Sequence, residues 1–254
     1  MDLLLTPNYL NYRTAGVRCD RRYHCGIVSD DSTAKWGSLD QEGIMMHPLI
    51  EQLLLEYQDL QDCASTVQAA FEVLRDAFAG GGKLLVCGNG GSAADSDHIV
   101  GELMKGFMVR RPVPERVRTA LSHTSDGIYV ADHLQGALPA LSLVSQTALN
   151  TAVANDVAAD MIFAQQVYGY AKPGDALLAI STSGNSSNVL FALQVARALG
   201  VRTIGLTGRT GGRMKEFCDV TVCVPKDATP GIQERHLPIY HALCIMLEDE
   251  FFSA

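Results

Sequence analysis

Residues 177–193 read LLAISTSGNSSNVLFAL: an apolar run ends at Ile180, eight small or polar residues follow from Ser181 to Asn188, and apolar helical spacing then resumes. A chain that leaves a strand through Ser, Thr and Gly and enters a helix exposes the first backbone N–H groups of that helix. Those groups and the helix dipole favour an anion. Ser181, Thr182, Ser183 and Ser186 can add hydroxyl donors. The expectation is a phosphate cradle made of neutral donors. It is not a nucleotide P-loop, because GxxxxGK[ST] is absent. A neutral cradle suits a monophosphate ester that must bind and leave. The plainer alternative is a Ser/Asn-rich helix cap that binds nothing, and the length of the run exceeds what a cap requires.

A second junction of this type is CGNGGSAADSDHIVGEL, residues 87–103. Gly88, Gly90 and Gly91 let a ligand approach the backbone closely. Asn89 and Ser92 can bond sugar hydroxyls. The third glycine of GxGxxG is missing, so a dinucleotide site is not expected. His98 and Glu102 are four residues apart on the helix that follows, hence on one face and ~6 Å apart along its axis. That spacing suits shared ligation. Elsewhere it is more often a surface pair; here it lies on the helix that leaves the glycine-rich turn.

The elements that position these loops can be read from periodicity. Short apolar runs at 83–87, 138–144, 175–180, 201–207 and 219–224 predict five buried strands. Helical patterns lie at 48–79, as one or two helices, from the glycine-rich turn to about Lys105, from Asn185 to Leu199, and from about Ile232 to Phe252. Alternation of this kind predicts an α/β fold: a five-stranded parallel sheet with helices on both faces, a three-layer sandwich of flavodoxin-like or Rossmann-like type. Ligands in such sheets bind outside the carboxyl ends of the strands, where the polar loops converge.

The bulk numbers set limits. A chain of 254 residues, 47% hydrophobic and 19% charged, can build a substantial core. A net charge of −8 argues against bulk nucleic-acid binding. The seven cysteines are odd in number and form no CxxC, which reads as a reducing, cytoplasmic setting. No apolar run reaches the ~18–20 residues of a membrane span, and the amino terminus does not resemble a secretion signal. Residues 1–45 show no sustained period and read as an irregular extension: an arm, a tail, or sequence upstream of a start near Met45 or Met46. His24 and Cys25, within it, have too few partners nearby to read as a metal site.

Over residues 46–254 the chain resembles the sugar isomerase (SIS) domain family, and within it the phosphoheptose isomerases. The resemblance rests on CGNGGSAADSDHIVGEL, ANDVAADMIFAQQV, GDALLAISTSGNSSNV, TIGLTG and the pattern VP…GIQERHLPIYHAL. The serine-rich motif marks the phosphosugar class; His98 with Glu102, and Gln233 with His241, mark the heptose branch. The resemblance implies that Asn89, Gly90, Gly91, Asn155, Asp156, Ser181, Thr182, Ser183 and Ser186 contact substrate, together with Ser92 and Gln233. It implies Glu102 and His241 as the catalytic pair. It implies one zinc ion per subunit on His98, Glu102, Gln233 and His241, and a homotetramer with active sites at subunit interfaces. The activity implied is interconversion of sedoheptulose 7-phosphate and D-glycero-D-manno-heptose 7-phosphate.

The chemistry agrees with those residue types. Aldose–ketose isomerisation needs a base near the carbon and an acid or metal at the oxygens, to stabilise an enediolate. A carboxylate, an imidazole and a zinc ion supply them. Gln233 and His241 pose a geometric problem: eight helical residues span ~12 Å, too far for one ion on one straight helix. Either Gln233 precedes the helix, or neighbouring subunits share the site, which is the favoured reading. His236 is a competing ligand candidate, ranked below His241.

Two departures from the family pattern stand out. An insertion at about 108–137, bearing Arg110, Arg111, Arg116, Arg118, His123 and His133, follows the Glu102 helix and is placed to be a lid, a peripheral helix or an interface arm. The arginine usual before the Ile–Gln pair is Gly231 here. The competing functional readings are the same isomerase chemistry on another ketose phosphate, and a non-catalytic phosphosugar-binding regulator.

Overall fold

A computed structural model describes residues 46–252; the extension 1–45, with His24 and Cys25, lies outside the described residues. The 48–79 pattern resolves into α1 (Pro48–Glu56) and α2 (Ala64–Ala79), with a 3-10 turn between them. Pro48 opens α1, where its missing N–H costs nothing, and the His47 ring accepts a hydrogen bond from Leu49 N. Then follow β1 (Leu84–Gly88), α3 (Gly91–Met104), α4 (Glu115–Leu121), α5 (Gly127–His133), β2 (Ala140–Ser142), α6 (Thr147–Asp156) and α7 (Ile162–Tyr170). The chain finishes with β3 (Ala176–Ile180), α8 (Ser187–Ala198), β4 (Arg202–Thr207), β5 (Val220–Cys223) and α9 (Thr229–Phe252).

The five strands form one parallel sheet in the order β2-β1-β3-β4-β5. Alternate side chains of a strand point to opposite faces, so the central strands β1 and β3 each feed two cores. Leu84, Val86, Leu178 and Ile180 join one core with Phe71 of α2, Ile99 of α3 and Leu243 of α9. Leu85, Cys87, Leu177 and Ala179 join the other with Phe163 of α7 and Leu193 of α8. Runs that are apolar throughout are what a strand covered on both faces requires. The three-layer α/β sandwich read from the sequence is the observed architecture.

Boundaries shift where local chemistry decides them. The second strand is shorter than the apolar run 138–144, because Leu138 N still bonds to Leu103 O at the end of α3. The last helix begins at Thr229, ahead of Ile232: Ile232 N reaches Ala228 O at 3.0 Å, and Pro230 sits in the first turn, where proline is tolerated. Gln233 is therefore inside α9, which removes the less favoured alternative that it precedes the helix.

Candidate functional site

β1 and β3 are neighbours with Gly88 paired to Ile180, so the glycine-rich and serine-rich turns leave the sheet side by side. In this strand order the chain reverses direction across the sheet between β1 and β3, which is where open α/β sheets leave a crevice. A cleft of about 290 Å³ lies there. Asn89, Gly90, Gly91 and Ser92 form one wall, Ser181, Thr182 and Ser186 another, and Thr229 and Gln233 of α9 close it. Every polar lining group is neutral. The helices α3 and α8 both begin at this cleft, and neither Gly90 nor Ser186 caps its helix with a side chain, so both positive helix ends face the cleft.

Local geometry explains the residue choices. Gly90 has φ 58°, a left-handed backbone that turns β1 into α3. A Cβ on Gly91 would collide with the Gln233 carboxamide, so glycine leaves that side chain its place against the turn. Ser181 and Ser186 hydroxyls lie 3.0 Å apart across the turn. Ser183 points elsewhere: its hydroxyl accepts from Asn185 N at 3.2 Å, and it does not line the cleft. Asn155 and Asp156 also lie outside it; they are exposed at the end of α6 and bonded to each other at 2.8 Å.

A second cluster sits farther along α3 and α9. His98 Nε2 is 3.3 Å from Glu102 Oε1, and Lys105 Nζ is 2.7 Å from Glu102 Oε2. The His241 ring centre lies 5.0 Å from that of His98 and 5.3 Å from that of Phe107. Burial pushes the His241 pKa down to about 4, with His98 acting in the same direction and Glu102 opposing, so the ring is neutral at pH 7. Three of the four expected zinc ligands thus gather here, while Gln233 stands in the cleft. Among the described residues, no three His, Cys, Asp or Glu side chains are drawn close enough to hold a metal ion as they stand. His236 is fully buried elsewhere on α9, near the Thr207 backbone.

The sequence reading missed several partners of these residues. Tyr240 OH donates to Asp95 Oδ1 at 3.1 Å and stands 3.1 Å from His98 Nδ1. A hydroxyl that donates to Asp95 can accept from His98 Nδ1, which turns Nε2 toward the Glu102 carboxylate. An imidazole nitrogen and a carboxylate oxygen at 3.3 Å share a proton or face a common cation. His241 Nε2 is buried without a hydrogen-bond partner close by. The donor types suit zinc, although the set within one chain is not closed. Asp95 was legible as a residue one turn before His98 on the same helix face; Tyr240 carried no local signal.

A parallel three-layer sandwich with an uncharged anion cradle at its β1/β3 crossover defines a class, and comparison with known proteins agrees with it. The SIS domain family model matches residues 51–132 and 130–208. The chain is 41% identical over 194 residues to a phosphoheptose isomerase of Rhodospirillum rubrum, covering 76% of this chain and 90% of that protein. It is 43% identical over 193 residues to one of Geotalea daltonii, covering 76% and 88%. The solved phosphoheptose isomerase of Neisseria gonorrhoeae superposes with a TM-score of 0.60 at 31% identity, covering 78% of this chain and 94% of that one. That of Francisella tularensis gives 0.64 at 29%, covering 79% and 94%. The chain belongs to the SIS domain family and, within it, to the phosphoheptose isomerases.

Proposed function

We propose that this chain is an aldose–ketose isomerase that interconverts sedoheptulose 7-phosphate and D-glycero-D-manno-heptose 7-phosphate through an enediolate. One observation carries the reading: an uncharged cradle at the start of α3 and α8, with Glu102, His98 and His241 gathered farther along the same α3–α9 pair. The phosphate sits against Ser181, Thr182, Ser186 and the two helix starts. Asn89, Ser92 and Gln233 bond the sugar hydroxyls. Glu102 removes the proton from the carbon beside the carbonyl and returns it to the neighbouring carbon. His241, neutral through burial, exchanges a proton with the sugar oxygens.

Glu102 lies about 15 Å from Ser92 along the α3 axis, and neither Glu102 nor His241 lines the cleft. A homotetramer with sites at subunit interfaces would bring together what one chain holds apart: Gln233 with the His98 cluster, and Asn155 and Asp156 with the cleft. His98, Glu102 and His241, completed by Gln233 across an interface, would hold a zinc ion that polarises the sugar oxygens. The insertion at 108–137 borders the Glu102 end of the site, and its α4 and α5 do not line the cleft. No helix of the described residues is long and apolar enough to cross a membrane. Cys63, Cys87, Cys218, Cys223 and Cys244 are all unbridged, which supports a cytoplasmic setting.

The test is solvent-proton exchange into ketose phosphates of five to seven carbons, followed by nuclear magnetic resonance. Sedoheptulose 7-phosphate should exchange and convert, and Glu102→Gln should abolish both while still binding the ester. That the cradle is complete in one chain without Glu102 or His241 favours one second reading, a non-catalytic phosphosugar-binding regulator. Binding with no C–H exchange in the wild type would establish it.

A further inference from the structure

Arg111 and Glu248 are buried, with side-chain exposures of 0% and 1%, and are joined at 2.8 Å between Nε and Oε1. Neither lines the cleft, and neither belongs to the expected ligand set. A buried ion pair is tolerated only when its remaining hydrogen-bonding capacity is met. Where those bonds go shows what the pair holds.

Glu248 accepts from Phe107 N at 2.8 Å, Met108 N at 2.7 Å and Val109 N at 3.2 Å. Arg111 gives its other nitrogens to Leu103 O at 2.8 Å and Glu102 O at 3.2 Å. These are carbonyls of the last turn of α3, which have no partner within the helix. Its guanidinium lies 4.6 Å from the centre of the Phe252 ring. Phe107, whose N–H is held by Glu248, lays its own ring against His241. One ion pair therefore fixes the Glu102 backbone directly and the His241 ring through Phe107.

We propose that Arg111 and Glu248 are positioning residues that set Glu102 and His241 relative to one another, an inference that rests on the isomerase reading. Stability alone would be served as well by a well-packed apolar pair of similar volume. The fork of bonds onto the Glu102 turn is what an apolar pair could not supply. The same arginine anchors the insertion: Gly136 N donates to Arg111 O at 2.7 Å, and Pro112 bridges to Gln135. The α4–α5 arm thus stands on the residue that holds the Glu102 turn.

The experiment uses the full chain with Arg111→Lys, Glu248→Gln and Phe107→Leu. Lysine keeps the charge and loses the fork; leucine leaves the Glu248 bonds and removes the ring from His241. For each variant, kcat and KM for the sugar phosphate, thermal unfolding and the imidazole resonances of His98 and His241 are measured. We expect kcat to fall about ten- to a hundredfold, since small misplacements of reacting groups cost that much. KM should stay within about twofold of wild type, because the cradle is untouched. The imidazole signals should move while the amide signals of β4 and β5 do not. A folded Arg111→Lys and Phe107→Leu pair with wild-type kcat overturns the inference. So does a fall in kcat that only follows the folded fraction, with unmoved imidazole signals. If Arg111→Lys does not fold, Phe107→Leu and Glu248→Gln decide by the same readouts. If the wild type turns over no ketose phosphate yet the imidazole signals move in the variants, the isomerase reading fails and the positioning stands.

Discussion

Asn89 and Asn188, 99 residues apart in sequence, exchange two amide hydrogen bonds of 2.9 Å each. The exchange ties the turn after β1 to the first turn of α8, the two halves of the cradle. Asn188 Oδ1 also accepts from Val189 N, which holds its amide in one orientation. The spacing of the two helix starts is therefore set by side chains as well as by the sheet.

Asn188→Ala should raise KM for the sugar phosphate about fivefold or more while changing stability by less than about 1 kcal/mol, because the pair is exposed. Steady-state kinetics beside urea unfolding would check both. An unchanged KM would mean that the β1/β3 register alone holds the cradle.

Gly91→Ala should displace Gln233 and weaken binding of inorganic phosphate and of the ester about tenfold, since the new methyl meets the carboxamide. Titration calorimetry reads this directly. Gly101→Ala on the same helix, where a Cβ meets nothing within 4 Å, is the control and should bind as wild type.

Acid should destabilise the fold through His236. Burial pushes its pKa down to about 4, and the Thr207 backbone only partly offsets this. The unfolded chain takes up the proton near pH 6.5 and the folded chain does not. Stability is therefore unaffected above pH 6.5 and falls as pH drops from 6.5 toward 4, by about 3 kcal/mol at most from this residue. Urea midpoints measured from pH 7.5 to 4.5 should show a shallower decline in His236→Gln; parallel curves would refute the assignment.

On the proposed zinc set, Tyr240→Phe should weaken zinc binding about ten- to a hundredfold, because the hydroxyl that orients the His98 ring is gone. Competition with a coloured chelator gives the affinity without reference to turnover. His98→Ala should lose the metal outright; equal zinc affinity in wild type and His98→Ala would count against His98 as a ligand, and equal affinity in Tyr240→Phe against the orienting role of the hydroxyl.

Some of this was legible along the chain. Five short apolar runs, three of them followed by a helical pattern, predicted buried parallel strands. The serine run after Ile180 and the glycines after Cys87 announced anion-binding helix starts, because a strand–turn–helix junction is built from neighbouring residues. His98 and Glu102 shared a face through their spacing of four. Glu248 also left a trace, as an acid in the apolar stretch HALCIMLEDEFF, two turns after His241. Its partner did not, since Arg111 is one of several arginines in the insertion and 137 residues away.

By itself, then, the sequence determined the five strands, the helices α1, α2, α3, α8 and α9 and the chemical character of the two cradle loops, because hydrophobic period and turn chemistry act over a few residues; α4 to α7, short or weakly periodic, were not legible. Only the tertiary structure decided which of those loops meet. The β2-β1-β3 strand order set Gly88 beside Ile180, and the packing of α9 on α3 brought Gln233 to Gly91 and Tyr240 to His98. Helix geometry kept Gln233 about 12 Å from His241. Contacts between residues a hundred or more positions apart depend on strand register and helix packing, and no local pattern encodes those.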